Sequence, residues 1–153
     1  MKKYFSYRIF HEISAGGVVF KKVKNKIYFV GIERATLKDR TLPKGHQRVN
    51  ETLEKTALRE TKEETGYKTI ILDYIGNFTY KLKDARQKII LFRTVHWFLM
   101  KYTGGRKRKK NKEVKKVRWL SLQNILKFLS YKNDQNIVKE ALKKIKQRDI
   151  KNN

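Results

Sequence analysis

GHQRVNETLEKTALRETKEETGY, residues 45–67, is an acidic window in a basic chain. Five of the chain's 14 acids fall between positions 51 and 64: Glu51, Glu54, Glu60, Glu63 and Glu64. Only Lys55, Arg59 and Lys62 oppose them there, although the 153 residues carry 39 Lys and Arg and a net charge of +25. Residues 51–64 read as a helix, capped by Asn50 and ended by Gly66. Ala57, Leu58 and Thr61 give it a buried face. Glu60, Glu63 and Glu64 stand at i, i+3 and i+4 and share another face. Like charges so placed repel by roughly 0.2–0.5 kcal/mol per pair on an exposed helix. Spacing alone also suits an ordinary solvated acidic face. A lysine-rich sequence that keeps these positions acidic points instead to a bound cation, and oxygen-only donors select Mg²⁺ or Mn²⁺.

Outward from the window, Ser14–Phe20 and Ile27–Ile32 are apolar, β-branched runs joined by the polar turn KKVKNK, a hairpin signature. Residues 36–50 read as a loop around the single proline, Pro43. Further strands are expected near 70–80, 88–102 and 114–120. The second is almost continuously apolar and should be central. Residues 122–129 read as a short helix. Residues 134–148 read as a longer one, with Ile137, Val138, Ala141, Leu142 and Ile145 on one face. Helices on both sides of a mixed sheet, within a single domain spanning 1–153, are the simplest α/β arrangement. No cysteine is present, which excludes disulfides, thiolate metal sites and cysteine nucleophiles. The start, MKKYFSYRIFHEIS, lacks the apolar run of a signal peptide. The apolar stretch near 89–100 is broken by Arg93, Thr94 and His96, too polar to span a bilayer. A soluble cytoplasmic protein without membrane contact is expected.

Gly45, Glu51 and the run Arg59-Glu60-Thr61-Lys62-Glu63-Glu64-Thr65-Gly66-Tyr67 meet every fixed position of the Nudix box, a glycine, a glutamate and an REUXEEXGU segment at set spacing. Thr61 and Tyr67 are mild departures at its two bulky aliphatic positions. The chain therefore resembles the Nudix hydrolases over most of its length. That resemblance implies an α/β/α sandwich with a mixed sheet and Mg²⁺- or Mn²⁺-dependent hydrolysis of a nucleoside diphosphate linked to a further group. It implies that Glu60, Glu63 and Glu64, with the Gly45 carbonyl, hold the metal, and that Glu51 and Arg59 brace the loop–helix–loop by a salt bridge. Metal ions of this kind neutralise polyphosphate and lower the pKa of an attacking water. A neighbouring carboxylate can take that water's proton, and the family places this base at no single position.

The flanks SAGGVVF, LPKGH and VRWLSLQNILKFLSYKNDQNIVKEAL resemble the diadenosine tetraphosphate hydrolase branch. Glu113 stands where that branch carries a glutamate ahead of its R-W-L segment, and is the candidate extra catalytic carboxylate; a charge partner within the basic loop is the other reading. Lys44, with Lys81 and Lys83, could reach phosphate. Tyr80 and Tyr131 could stack on a base, a contact worth roughly 1–3 kcal/mol in single strands, though packing is the commoner use of a tyrosine. Tyr131 and Asp134 match a Tyr-x-x-Asp stretch of the branch. His46 follows the motif glycine without a necessary role, and His11 and His96 suggest no zinc site. Related loops often read PKG-x-x-E-x-G-E, where this chain has Gln47, Arg48, Val49, Asn50 and Glu51.

The function expected is pyrophosphate hydrolysis of dinucleoside polyphosphates such as diadenosine tetraphosphate. The alternatives are another Nudix substrate (an oxidised nucleoside triphosphate, an RNA 5′ end or a diphosphoinositol phosphate) or a nucleic-acid-binding module on the same fold. The run RKRKKNK, 106–112, after Gly104 and Gly105 reads as an exposed hairpin loop, a solvated tip or a contact for RNA. Net charge by itself names no partner and is also what biased genome composition produces.

Overall fold

The computed structural model describes residues 6–152. Residues 1–5, the head of the stretch that lacks a signal peptide's apolar run, lie outside the described residues. β1 (Arg8–Val23) and β2 (Lys26–Arg34) form the expected hairpin. Lys24 and Asn25 both take positive φ, 47° and 66°, as a two-residue turn between twisted strands requires. The strands stay paired only from Val23↔Lys26 to Phe20↔Phe29 and then part. Into that fork the 36–50 segment inserts two short strands rather than remaining loop. β3 (Arg40–Thr41) pairs with β2, and β4 (Lys44–His46) pairs with β1. The wedge brings Lys44 and Gly45 between the diverging strands.

α1 (Leu53–Thr65) comes next. Its cap is Thr52, whose Oγ1 accepts from the Lys55 N–H at 3.2 Å, and not Asn50. Asn50 takes φ 64°, the left-handed turn for which related loops use glycine. β5 (Tyr67–Asp84) and β6 (Ile89–Gly105) form a long antiparallel pair, and β6 also runs parallel to β1. β6 is thus flanked on both edges, as its apolar sequence predicts. β7 (Val114–Ser121) pairs with β2. With both edges of β6 taken, residues 106–113 cannot be a hairpin tip. They cross from β6 to the far side of β2, which corrects the hairpin expectation.

α1 packs on one face of the mixed sheet, over Ala15, Val19, Val30, Ile32, Phe98 and Met100. α2 (Leu122–Phe128) and α3 (Lys132–Lys151) pack on the other, over Val18, Phe29, Val95, Trp97 and Leu99. Successive residues of β6 thus feed opposite cores, which is the α/β/α sandwich. Each such side chain contributes roughly 1.5–3 kcal/mol on burial. Among the described residues no helix is long and apolar enough to cross a membrane.

Candidate active site

Glu51 anchors the turn into α1. Its Oε1 accepts from the Thr56 hydroxyl at 2.6 Å and the Arg48 N–H at 3.2 Å. Arg59, two turns along the helix, donates Nε and Nη2 to the two oxygens of the same carboxylate, each at 2.8 Å. These bonds to the charged form hold Glu51 well below the usual carboxylate range and Arg59 above its own. Arg59 also reaches the His46 carbonyl at 2.9 Å, Glu60 Oε1 at 2.6 Å and Glu63 Oε2 at 3.3 Å. One guanidinium thus ties β4, the turn and two of the acidic helix positions together.

Glu60 points its carboxyl at Gly45. A Cβ at position 45 would lie 2.1–2.4 Å from that carboxyl group, so only glycine lets the peptide and the carboxylate meet. Glu64 accepts from the Lys44 N–H at 3.3 Å. Burial, and then the charge of Glu60, push Glu64 up to about 8, against the pull of Lys44 and Arg34. Glu63 stands half-exposed at the rim, 3.7 Å from Arg48. Among the described residues no three carboxyl groups converge at metal-ligand spacing; Arg59 engages Glu60 and Glu63, and the Lys44 N–H engages Glu64. The donor chemistry still fits a hard divalent cation. Three carboxylates and a peptide carbonyl supply only oxygen, and the closeness of Glu60 to Glu64 calls for positive charge.

Glu113 borders one cleft with Glu64 and Arg34, and another with Glu63, Arg108 and Lys112. The crossing loop places it there. The Arg108 N–H donates to the Thr65 carbonyl at 2.8 Å, and its guanidinium donates to the Glu63 carbonyl. The basic run therefore docks on the end of α1 beside the acidic face.

On the other side of Lys44 lies a cleft of about 190 Å³ that holds Lys44, Tyr80 and Tyr131 together, with Arg34, Arg93 and Asp134. A cleft of this size has room for a planar base. Burial lowers the Lys44 ammonium below its ordinary value. The Tyr131 hydroxyl donates to Asp39 at 2.7 Å, and Asp39 takes a two-pronged ion pair from Arg34. Lys81 and Lys83 are within β5 rather than after it. Lys81 alternates with Tyr80 on the opposite face and Lys83 stacks over Tyr7, so neither lines this cleft. His46 faces Glu12 at 3.5 Å, His11 stacks on Phe92, and His96 Nδ1 lies 2.9 Å from the Tyr74 hydroxyl. A larger cleft, about 550 Å³ at the C-terminal end of α3, contains none of the expected site residues. Arg34, Asp39 and Arg93 were not expected. They come from β2, the loop before β3, and β6, and no spacing rule links them.

The NUDIX domain family model matches residues 11–141. A Mycobacterium tuberculosis (strain CDC 1551 / Oshkosh) protein that carries the name MutT4 is 33% identical over 141 residues, 88% of this chain and 56% of its own length. An "8-oxo-(d)GTP phosphatase" of Mycolicibacterium smegmatis (strain ATCC 700084 / mc(2)155) is 27% identical over 113 residues, 74% of this chain and 33% of its own. The chain thus spans about half or less of the length of these curated relatives. Among solved structures, a C. elegans Ap4A hydrolase superposes with a TM-score of 0.72 at 23% identity, covering 89% of this chain and 98% of that one. The NUDIX domain of Shewanella oneidensis NrtR, complexed with ADP ribose, gives a TM-score of 0.71 at 17% identity, covering 88% of each chain. With the complete box on a fork-and-helix scaffold and a family match over most of its length, the chain belongs to the Nudix family.

Proposed function

We propose that this chain is a divalent-metal-dependent pyrophosphohydrolase of nucleotide polyphosphates, with dinucleoside polyphosphates such as diadenosine tetraphosphate as its preferred class. One observation carries the reading. Lys44 belongs to both halves of the site, its backbone N–H on Glu64 and its side chain in the cleft with Tyr80 and Tyr131. A base between the tyrosines would lead its phosphates past Lys44 and Arg34 toward Gly45, Glu60, Glu63 and Glu64. Those four residues would hold Mg²⁺ or Mn²⁺, which supplies charge neutralisation at phosphorus and a more acidic water. Lys44 and Arg34 bind and orient the phosphate chain. Glu51 and Arg59 fix the loop relative to the helix. Glu64 or Glu113 takes the proton of the attacking water, whose oxygen bonds to phosphorus as the bridging oxygen leaves with the departing phosphate. The C. elegans Ap4A hydrolase fold and the branch-like flanks favour this substrate class over a lone triphosphate.

The test is cleavage by the purified chain of diadenosine polyphosphates, nucleoside triphosphates, triphosphorylated RNA and diphosphoinositol phosphates, with products separated by chromatography. Diadenosine tetraphosphate cleaved to ATP and AMP in preference to the rest is the expected result, with Glu63→Gln losing at least the roughly 10–100-fold typical of weakened metal sites. Preference for another member of the panel would move the substrate and keep the metal site. The docked loop beside Glu63 favours RNA 5′ ends as the second reading. No turnover, with polyanion binding retained or improved in Glu63→Gln, would make the protein a binding module.

A further inference from the structure

We propose that Asp134 reads the nucleobase: its free carboxyl oxygen accepts an N–H from the exocyclic amino group of a purine seated between Tyr80 and Tyr131. The inference rests on the base seat proposed above and adds the group that selects the base. Asp134 lies in the first turn of α3, three residues after Tyr131, and borders the same cleft. It is 1% exposed, and among the described residues its Oδ2 finds no hydrogen-bond partner. Buried carboxyl oxygens are ordinarily satisfied, and an orphan is costly enough to need a reason. Capping α3 is not that reason, since the N-cap, Tyr131, makes no side-chain cap bond and Oδ2 accepts from no group of the helix. The Leu42 backbone lies against the carboxyl group and favours its charged form. Burial disfavours its ionised form, and the charges of Lys44 and Arg34 work against that. The wall of the cleft therefore combines two aromatic rings with one buried, unfilled acceptor.

A carboxylate oxygen demands a donor. Adenine presents one at its 6-amino group and guanine at its 2-amino group, whereas hypoxanthine has neither. The bases differ little in their stacking faces, so hydrogen bonding must separate them. A site built for an N–H rejects the analogue that leaves its buried acceptor empty. Asp134→Asn changes the sign of the interaction. Its amide NH₂ presents a donor where the carboxylate has only acceptors.

The experiment is calorimetric binding of AMP, GMP and IMP to the full chain and to Asp134→Asn, Asp134→Ser and Tyr131→Ala, each checked for cooperative unfolding. AMP or GMP is expected to bind wild type about 10–100-fold more tightly than IMP. Asp134→Asn and Asp134→Ser should abolish that ratio, and Asn should bring IMP level or ahead. Tyr131→Ala should weaken all three alike. An unchanged ratio in both Asp134 variants, with Tyr131→Ala still weakening binding, overturns the inference and leaves the base seat standing. Binding indifferent to Tyr131 as well overturns the seat and the inference with it.

Discussion

Arg59 shows how much one side chain can be asked to do. Its five N–H groups serve Glu51, Glu60, Glu63 and the His46 carbonyl, a planar fork that a lysine ammonium cannot reproduce. Arg59→Lys keeps the charge and loses the fork, so kcat/KM should fall about 10–100-fold while far-UV circular dichroism stays the same. A loss under about threefold would show that charge alone suffices. Asp134 makes the complementary point, a residue whose burial costs stability. Burial pushes its carboxyl up to about 6 from the ordinary 3.8, with Lys44 and the Leu42 backbone pulling the other way. The folded state thus holds this proton more tightly than the unfolded chain. Near pH 3, below both values, the two states are protonated and there is no penalty. The penalty grows as pH rises toward about 6 and is constant above. At about 1.4 kcal/mol per pH unit the full penalty is about 3 kcal/mol. Asp134→Asn forfeits some attraction for Lys44, leaving a gain of about 1–2 kcal/mol near pH 7.5 that shrinks to nothing near pH 3. Urea unfolding at the two pH values measures it, and equal effects at both would refute the assignment.

At the level of elements, α1 is legible in the sequence because its constraints are local. Periodicity marks its buried face, and Gly66 ends it with φ 82°. The cap lies two residues beyond the expected Asn50 because Asn50 and Thr52 are both good capping types, and only the tertiary demand on Glu51 separates them. Thr52→Ala should cost about 1 kcal/mol, read by urea denaturation. Gly66 has a second duty that its cap role hides. A Cβ there would meet the Arg106 carbonyl at 2.2 Å, so Gly66→Ala forces a left-handed alanine and also lifts the crossing loop. The expected loss is about 2 kcal/mol by urea denaturation, with faster proteolysis after Arg106 or Lys107. A loss below about 0.5 kcal/mol, the size of a neutral surface change, would mean that the loop is not held there. The departure of 106–112 from a hairpin has the same origin. A basic run after two glycines looks alike whether β6 pairs with the next segment or not, and only the occupied edges of β6 decide.

For the whole molecule, the carboxylate half of the site is readable because one helix carries it, whereas the cleft half is assembled from β2, β4, β5, β6 and α3. The motif and its resemblance point to Lys44 and Tyr131, the need for an aromatic face points to Tyr80, and Arg34, Asp39 and Arg93 meet only in the fold. The charge of +25 belongs to this scale too. It is either a diffuse field that concentrates any polyanion or a set of contacts, and salt dependence separates these. Lys107, Lys109 and Lys110 are exposed on the docked loop, while Arg108 makes the docking bonds. Changing the three lysines to glutamine should therefore leave the fold and the loop's attachment intact. If they contact the strand behind an RNA 5′ end, the slope of log affinity against log salt should fall by about 2 for triphosphorylated RNA, near 0.7 for each single-strand phosphate deprived of its lysine. A mononucleotide confined to the Tyr80–Tyr131 cleft should keep its slope. Parallel shifts for both ligands would make the loop part of the general field, and RNA ends would then have no more claim on this site than a dinucleoside polyphosphate.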